Sequence, residues 1–441
     1  MDLSRRGRIS KDIVSNGLRA MDMLSALFRL SLSLAATRLV AISMPVVDVI
    51  MLAHLSPNSL SAYTLGAQWA QIGVVACGGI GIGIAVSLPR CTPRRRATWL
   101  PAILSTSLCW GVVATGLVTI LAIVPTPLDN SGYVTGTLAL GMVPLSMYAS
   151  LASYLQSIGQ TRSVFWLTAA AGTLNIFLDL VFIHATNPAV GVAWATVTCW
   201  TVLCAAMWVQ THAPMLNTAR IFPRSPTRSV RRPWKTIRYL KPARLLRIAL
   251  PDTFSKLGFV GAMALGVWWF GLSTPEHDFK TLAAILNYMN LVFVMLAATT
   301  SAFGITFLDR GAQHDLRKFA TFTAGALLAW LAIALIFSPI TAYIYLVHID
   351  SANLRVISLA SLAVLFDGVS LFAITWLRMH GAVSLPPNLR LLMFPGAAIY
   401  VSLASAPSTN VAIQAMLFGN IVVAVCLCVM CRLHSSSSTP S

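Results

Sequence analysis

The chain has 441 residues, of which 57% are hydrophobic and only 10% charged. Soluble domains carry roughly 25% charged residues, so most of this surface faces something other than water, and the apolar runs leave no room for a soluble domain. The formal net charge of +18 sits between apolar runs rather than on one patch, which argues against nucleic acid as a partner and for the surface of a membrane.

Apolar runs of about 20 residues or more recur along the chain, each long enough to cross a ~30 Å hydrocarbon core as a helix. The ~10-residue alternating strands of an outer-membrane barrel are not visible. Five basic residues (Arg5, Arg6, Arg8, Lys11, Arg19) fill a tail, residues 1–24, before the first span. No small-residue cleavage site follows a short apolar core, so no removable signal peptide is expected. Twelve spans then follow, near 25–53, 60–88, 98–124, 134–157, 164–184, 190–211, 246–271, 281–307, 319–345, 356–378, 388–404 and 410–431. The longest polar stretch, 212–245, is rich in Arg and Pro and reads as a basic linker. It separates an N-terminal six-helix lobe (25–211) from a C-terminal one (246–431), and a Ser-rich tail (432–441) ends the chain.

With both termini cytoplasmic, 26 of the 31 Lys and Arg fall on the cytoplasmic side, Arg378, Arg390 and Arg432 among them. Only Lys280 and Arg355 fall outside, and Arg29, Arg38 and Lys256 lie within spans. That asymmetry is the positive-inside signature and sets the expected topology. The lobes also read as repeats: LFRLSL (27–32) answers LLRIAL (245–250) at an offset of 218, which carries Arg38 onto Lys256. LQSIG (155–159) answers LRMHG (377–381) at an offset of 222. Six helices repeated in one orientation imply a pseudo-two-fold axis along the membrane normal, with a path between the lobes. The expected fold class is therefore an all-α polytopic membrane protein of twelve transmembrane helices in two six-helix bundles. The eight cysteines lie mostly in apolar runs without disulfide spacing. Cys426, Cys428 and Cys431 lack the histidine partners of a zinc site and read as packing residues.

Among the thirteen acidic residues, Asp48, Asp179 and Asp367 fall inside spans. Each costs about 2.5–3.5 kcal/mol at a helix centre on insertion scales, so ion or proton coupling is the default reading. The alternative for Asp48 and Asp179 is a helix-end carboxylate snorkelling to the outer interface. Asn175 precedes Asp179 by one turn and shares its face, and Thr196 early in the sixth span adds a hydroxyl. Carboxylate plus amide oxygen suits a sodium ion or a proton held on the acid, because hard cations take oxygen ligands. A structural Asn–Asp hydrogen bond is the other reading. Arg38 and Lys256 either neutralise nearby carboxylates or form an anion clamp across the central cleft, and Asn287 in the eighth span joins them as a cleft residue. GGIGIG (78–83) looks like a nucleotide loop, but it lies in an apolar span with no strand before it and reads as close helix packing. His54 and His184 flank the acids as surface histidines or proton-entry residues. No ATP-binding motif and no nucleophile–base constellation appears, so an enzyme is not expected.

PVVDVIMLAHLSPNSLSA (45–62), PLSMYASLASYLQSIGQT (144–161), NIFLDLVFI (175–183) with GVAWATV (191–197), and FDGVSLFAITWLRMHG (366–381) resemble the first, fourth, fifth with sixth, and tenth spans of the multidrug and toxic compound extrusion (MATE) family. That family belongs to a larger group that includes polysaccharide and lipid flippases. The resemblance implies two bundles around a V-shaped cleft, and a monomer in the plasma (inner) membrane with both ends inside. It implies a secondary antiporter exporting a small organic molecule against protons or sodium, with no cofactor beyond a coupling sodium ion. In one branch, residues at the positions of Asp48, Asn175, Asp179 and Thr196 form a cation site; the first three are the sodium ligands if sodium is the coupling ion. In another branch the acid at the position of Asp367 forms a second one. Two departures stand out: the seventh span reads FSKLGFVGA (254–262) without the glutamate some members carry, and Arg38 and Lys256 are atypical for organic-cation exporters. They give weight to an alternative, a flippase of a lipid-linked anionic oligosaccharide.

Overall fold

The computed structural model describes residues 44–88, 98–124, 130–184, 187–221, 234–271, 351–379, 388–392 and 409–437, with Val40 and short pieces between 281 and 339. Helix dominates this set and it contains no strand. The helices are α1 (Met44–Leu55), α2 (Pro57–Ser87), α3 (Leu100–Ala122), α4 (Ser131–Leu140), α5 (Met142–Ser157), α6 (Thr161–Phe182), α7 (Pro188–Ile221), α8 (Trp234–Gly271), α9 (Ser351–Met379) and α10 (Thr409–Ser437). A short 3-10 turn, Arg390–Leu392, lies between α9 and α10. Parts of spans eight and nine, the first half of span one and most of span eleven fall outside the described residues.

Helical periodicity explains how each element meets its surroundings. On α3 the stripe Ile103, Ser107, Gly111, Ala114 and Val118 is buried, whereas Leu108, Val112 and Ile120 on the opposite side are exposed. Exposed apolar side chains at helical spacing suit lipid contact, since the hydrocarbon core rather than water covers them. Five helices (α3, α6, α7, α9 and α10) contain segments long and apolar enough to cross a membrane.

The fourth span is two helices rather than one. α4 and α5 meet at Gly141 with a bend of 48°. A Cβ there would stand 2.6 Å from the Trp200 ring, so glycine is what lets α7 cross so closely. Helix extends into the 212–245 linker from both sides: α7 continues through Ile221 and α8 begins at Trp234. Helix needs only satisfied backbone bonds, not apolar side chains, so it runs past the hydrophobic segments at both ends.

α2 and α8 form the seam between the lobes, running antiparallel. Leu65 and Trp69 of α2 belong to the same core as Val260, Met263 and Val267 of α8, which continues into α9 and α10. Nearer the linker, Gly79 faces Thr253, and Gly83 faces Leu245 and Ala249. Gly79, Gly81 and Gly83 of the GGIGIG run are thus helix-packing glycines, as its apolar setting implied. A Cβ on Gly83 would lie 2.8 Å from the Leu245 carbonyl oxygen, and one on Gly81 would lie 2.6 Å from Ser153 Oγ on α5. The stripe lets two backbones approach within a distance no larger residue permits.

Candidate functional site

Four helices of the N-terminal lobe carry five polar groups into a shared interior point, two of them from α6. On α6 the buried stripe is Val164, Thr168, Ala171, Asn175 and Asp179, so the amide and carboxylate continue the inward face of an apolar helix. Met44, Asp48 and Leu52 form the matching buried stripe of α1. α7 contributes Thr196, whose hydroxyl lies 3.3 Å from its own helix at the Val192 carbonyl. α2 contributes Tyr63. Only Ser56 separates α1 from α2, and Pro57 begins the second helix, where its missing N–H has no intrahelical partner to lose. Asp48 and Tyr63 therefore lie about two helical turns on either side of one tight hairpin.

The side chains form one hydrogen-bonded cluster. The Asn175 amide nitrogen donates to Asp48 Oδ1 at 2.7 Å and to Asp179 Oδ2 at 2.8 Å. The Thr196 hydroxyl donates to Asp48 Oδ2 at 2.8 Å, and the Tyr63 hydroxyl donates to the same oxygen. One nitrogen thus bridges two carboxylates, less than two hydrogen-bond lengths apart. Asp48, Asn175 and Asp179 are all fully buried, so neither acid snorkels to an interface. His54 and His184 are exposed.

Charge balance decides what the cluster can do. Two carboxylates in an apolar interior repel and are poorly solvated, so a positive charge or a proton must accompany them. The donors already present satisfy both oxygens of Asp48. Asp179 Oδ1 and Asn175 Oδ1 are buried without a hydrogen-bond partner. Those two free oxygens, one anionic and one neutral, suit a hard monovalent cation, and Asp179 Oδ1 equally suits a proton. Among the described residues no group of three His, Cys, Asp or Glu makes a transition-metal site.

Tyr63 is the member that sequence reading missed. The available signal was a tyrosine inside an apolar helix at the depth of a buried acid across a one-residue turn. Replacing Tyr63 by Phe keeps the ring and removes one donor to Asp48. A hydrogen bond to a charged group contributes about 1.5–3 kcal/mol, so apparent coupling-ion affinity changes by roughly 10- to 100-fold while packing is kept. Ion titration of transport rate, with thermal unfolding as the folding control, checks this.

The remaining candidates lie elsewhere. Arg38 is outside the described residues. Lys256 is half-buried on α8, on the face that carries Thr253 and Val260 toward α2, and Asn287 is half-buried in the C-terminal lobe. Asp367 is fully buried on α9 and makes an ion pair with Arg390, itself 1% exposed. Arg390 therefore does not belong with the cytoplasmic-side cations, among which the charge count placed it. The 3-10 turn brings it back against the middle of α8 at Gly258, because a buried carboxylate supplies what an arginine at that depth needs.

No protein-family model matches the chain. It is 24% identical over 247 residues to the probable multidrug resistance protein NorM of Acinetobacter baylyi, covering 52% of this chain and 53% of that protein. It is 27% identical over 205 residues to the multidrug resistance protein NorM of Burkholderia vietnamiensis, covering 41% and 43%. The chain thus spans about half the length of the curated relatives it matches. Solved structures match over far more of it. A MATE in complex with MaL6 superposes with TM-score 0.68 at 18% identity, over 93% of this chain and 96% of that one. A MOP-superfamily transporter from Pyrococcus furiosus reaches 0.69 at 19%, over 94% and 96%, and an outward-facing MATE transporter of that superfamily 0.65 at 17%, over 93% and 96%. Helical content and near-complete superposition agree: this chain has the all-α fold of the solved multidrug and toxic compound extrusion (MATE) transporters.

Proposed function

We propose that this protein is a secondary antiporter that exports a small organic molecule in exchange for a proton or sodium ion held at Asp48 and Asp179. The observation that carries this reading is the Asn175-bridged carboxylate pair with spare oxygens on Asp179 and Asn175. The relatives' names, multidrug resistance protein NorM, support organic substrates.

The chain's own residues do the following. Asn175 and Thr196 hold Asp48 by donating to its two oxygens, leaving Asp179 as the exchangeable acid. Loading the site with one positive charge lowers repulsion between the two carboxylates and lets α1 and α6 pack closely. Releasing that charge restores the repulsion and favours rearrangement of the lobe, which alternating access requires. Each inward charge supplies about 2.3 kcal/mol per 100 mV of membrane potential, so no ATP is needed. Lys256, Arg38 and Asn287 line the proposed substrate path, with both termini in the cytoplasm and the chain acting as a monomer in the plasma membrane.

Uptake of a labelled dye into inverted vesicles, driven by an imposed proton or sodium gradient, tests the reading. Gradient-driven accumulation supports antiport and the effective ion names the coupling species. No gradient-dependent movement of any organic cation or anion sinks it. The flippase reading is favoured by the basic residues Arg38 and Lys256. It predicts that Arg38→Ala or Lys256→Ala abolishes function while Asp179→Asn is tolerated.

A further inference from the structure

The C-terminal lobe holds its buried acid in a different way. Asp367 sits midway along α9, with Val364 and Phe372 of the same helix in the apolar core. Its partner is Arg390, carried on the 3-10 turn Arg390–Leu392. That turn is seated on α8: a Cβ on Gly258 would lie 2.9 Å from Leu391 Cα and 3.2 Å from the Arg390 carbonyl oxygen. Backbone packing against a glycine thus fixes the depth at which the guanidinium meets the carboxylate. One oxygen of Asp367 takes the guanidinium, whereas Oδ2 is buried without a hydrogen-bond partner.

We infer that Arg390 is a resident cation, covalently tethered at the place on Asp367 that a transported ion would otherwise take, so that the C-terminal lobe is silent in coupling. A carboxylate in an apolar interior requires one accompanying positive charge. In the N-terminal cluster no Lys or Arg among the described residues is a hydrogen-bond partner of Asp48 or Asp179, and the proposed function gives that role to an exchangeable ion. At Asp367 a guanidinium fills it, and a guanidinium stays charged at all physiological pH and cannot leave. Arg390 thereby sets the ion-to-substrate ratio, because only one lobe exchanges ions. This rests on the proposed coupling role of Asp48 and Asp179.

The test uses the full chain in lipid vesicles and dicyclohexylcarbodiimide, which adds to protonated carboxyl groups in apolar settings, with and without sodium, and peptide mass mapping. In the wild type, Asp367 is expected to remain unmodified. In Arg390→Ala, Asp367 is expected to become reactive, or to react only when sodium is absent. In Arg390→Lys it stays unreactive. Wild-type Asp367 reacting as fast as Asp179, or Asp367 staying inert in Arg390→Ala with and without sodium, overturns the inference. If Arg390→Ala does not fold, the charge-neutral double variant Asp367→Asn/Arg390→Gln decides. Its ion-to-ethidium ratio, read from the gradient at which net uptake reverses, should equal the wild-type ratio, and a ratio lower by one ion overturns the inference. Asp179→Asn leaving the coupling intact would sink the antiport reading of the N-terminal site alone, since Asp367 reactivity is read separately.

Discussion

Asp179→Asn is expected to abolish gradient-driven transport while leaving the protein folded. Asparagine has nearly the volume of aspartate, and its carbonyl still accepts the 2.8 Å bond from Asn175. What disappears is the charge that makes the spare Oδ1 a partner for a proton or sodium ion. Removing a charged partner is worth about 1.5–3 kcal/mol, or roughly 10- to 100-fold in ion affinity, enough to uncouple the cycle at ordinary gradients. Thermal stability should hold or rise slightly, because a like charge beside Asp48 has gone. Asp48→Asn should behave differently. Asp48 accepts from Asn175, Thr196 and Tyr63, using both oxygens, and an amide has one acceptor to offer. Its NH2 would face a donor at a cost of about 1–3 kcal/mol, so this variant should lose both coupling and stability. Dye uptake in vesicles paired with thermal unfolding in detergent separates the two. Wild-type uptake by Asp179→Asn, or equal stability losses in both variants, would count against the assignment of roles.

The second large effect is expected at the seam between the lobes. Gly83→Val drives a side chain into the Leu245 backbone, whose carbonyl oxygen stands 2.8 Å from the new Cβ position. Gly79→Val meets Thr253, whose hydroxyl oxygen lies 1.7 Å away and is itself bonded to the Ala249 carbonyl at 2.9 Å. Overpacking of this kind costs about 1–3 kcal/mol, and at Gly83 the backbone itself must move. Gly78 is the internal control, since a Cβ there meets nothing within 4 Å. Gly78→Ala should be neutral or stabilising by up to about 1 kcal/mol, the helix-propensity gain over glycine. Melting temperatures that fall for positions 79 and 83 but not 78 support α2 and α8 as the packed seam. Uniform behaviour across the three would mean the glycines serve local helix geometry only.

Much of this architecture was legible from the residues because the bilayer imposes a coarse, one-dimensional rule. The helical character of the chain and the inward stripe through Asn175 and Asp179 follow from hydropathy and a period of 3.6, both local in sequence. The bend at Gly141 and the helical ends of the linker were not legible. They depend on what packs alongside, here Trp200 in the first case, and on backbone bonding that hydropathy does not report.

By itself the sequence determined that Asp48, Asp179 and Asp367 lie in apolar helices, that Asn175 accompanies one of them, and that the chain folds as helices. Burying an acid in hydrocarbon is expensive enough that its presence alone marks a site. Only the tertiary structure decided which groups answer those acids. Asp48 and Asp179, 131 positions apart by sequence number, share one amide donor, Tyr63 completes the cluster across the α1–α2 turn, and Arg390 returns from an apparent loop to neutralise Asp367. The reason is the range of the forces. Insertion energy acts residue by residue and leaves its mark on composition, whereas charge compensation acts over a few ångströms between helices whose neighbours are set only when the bundle closes.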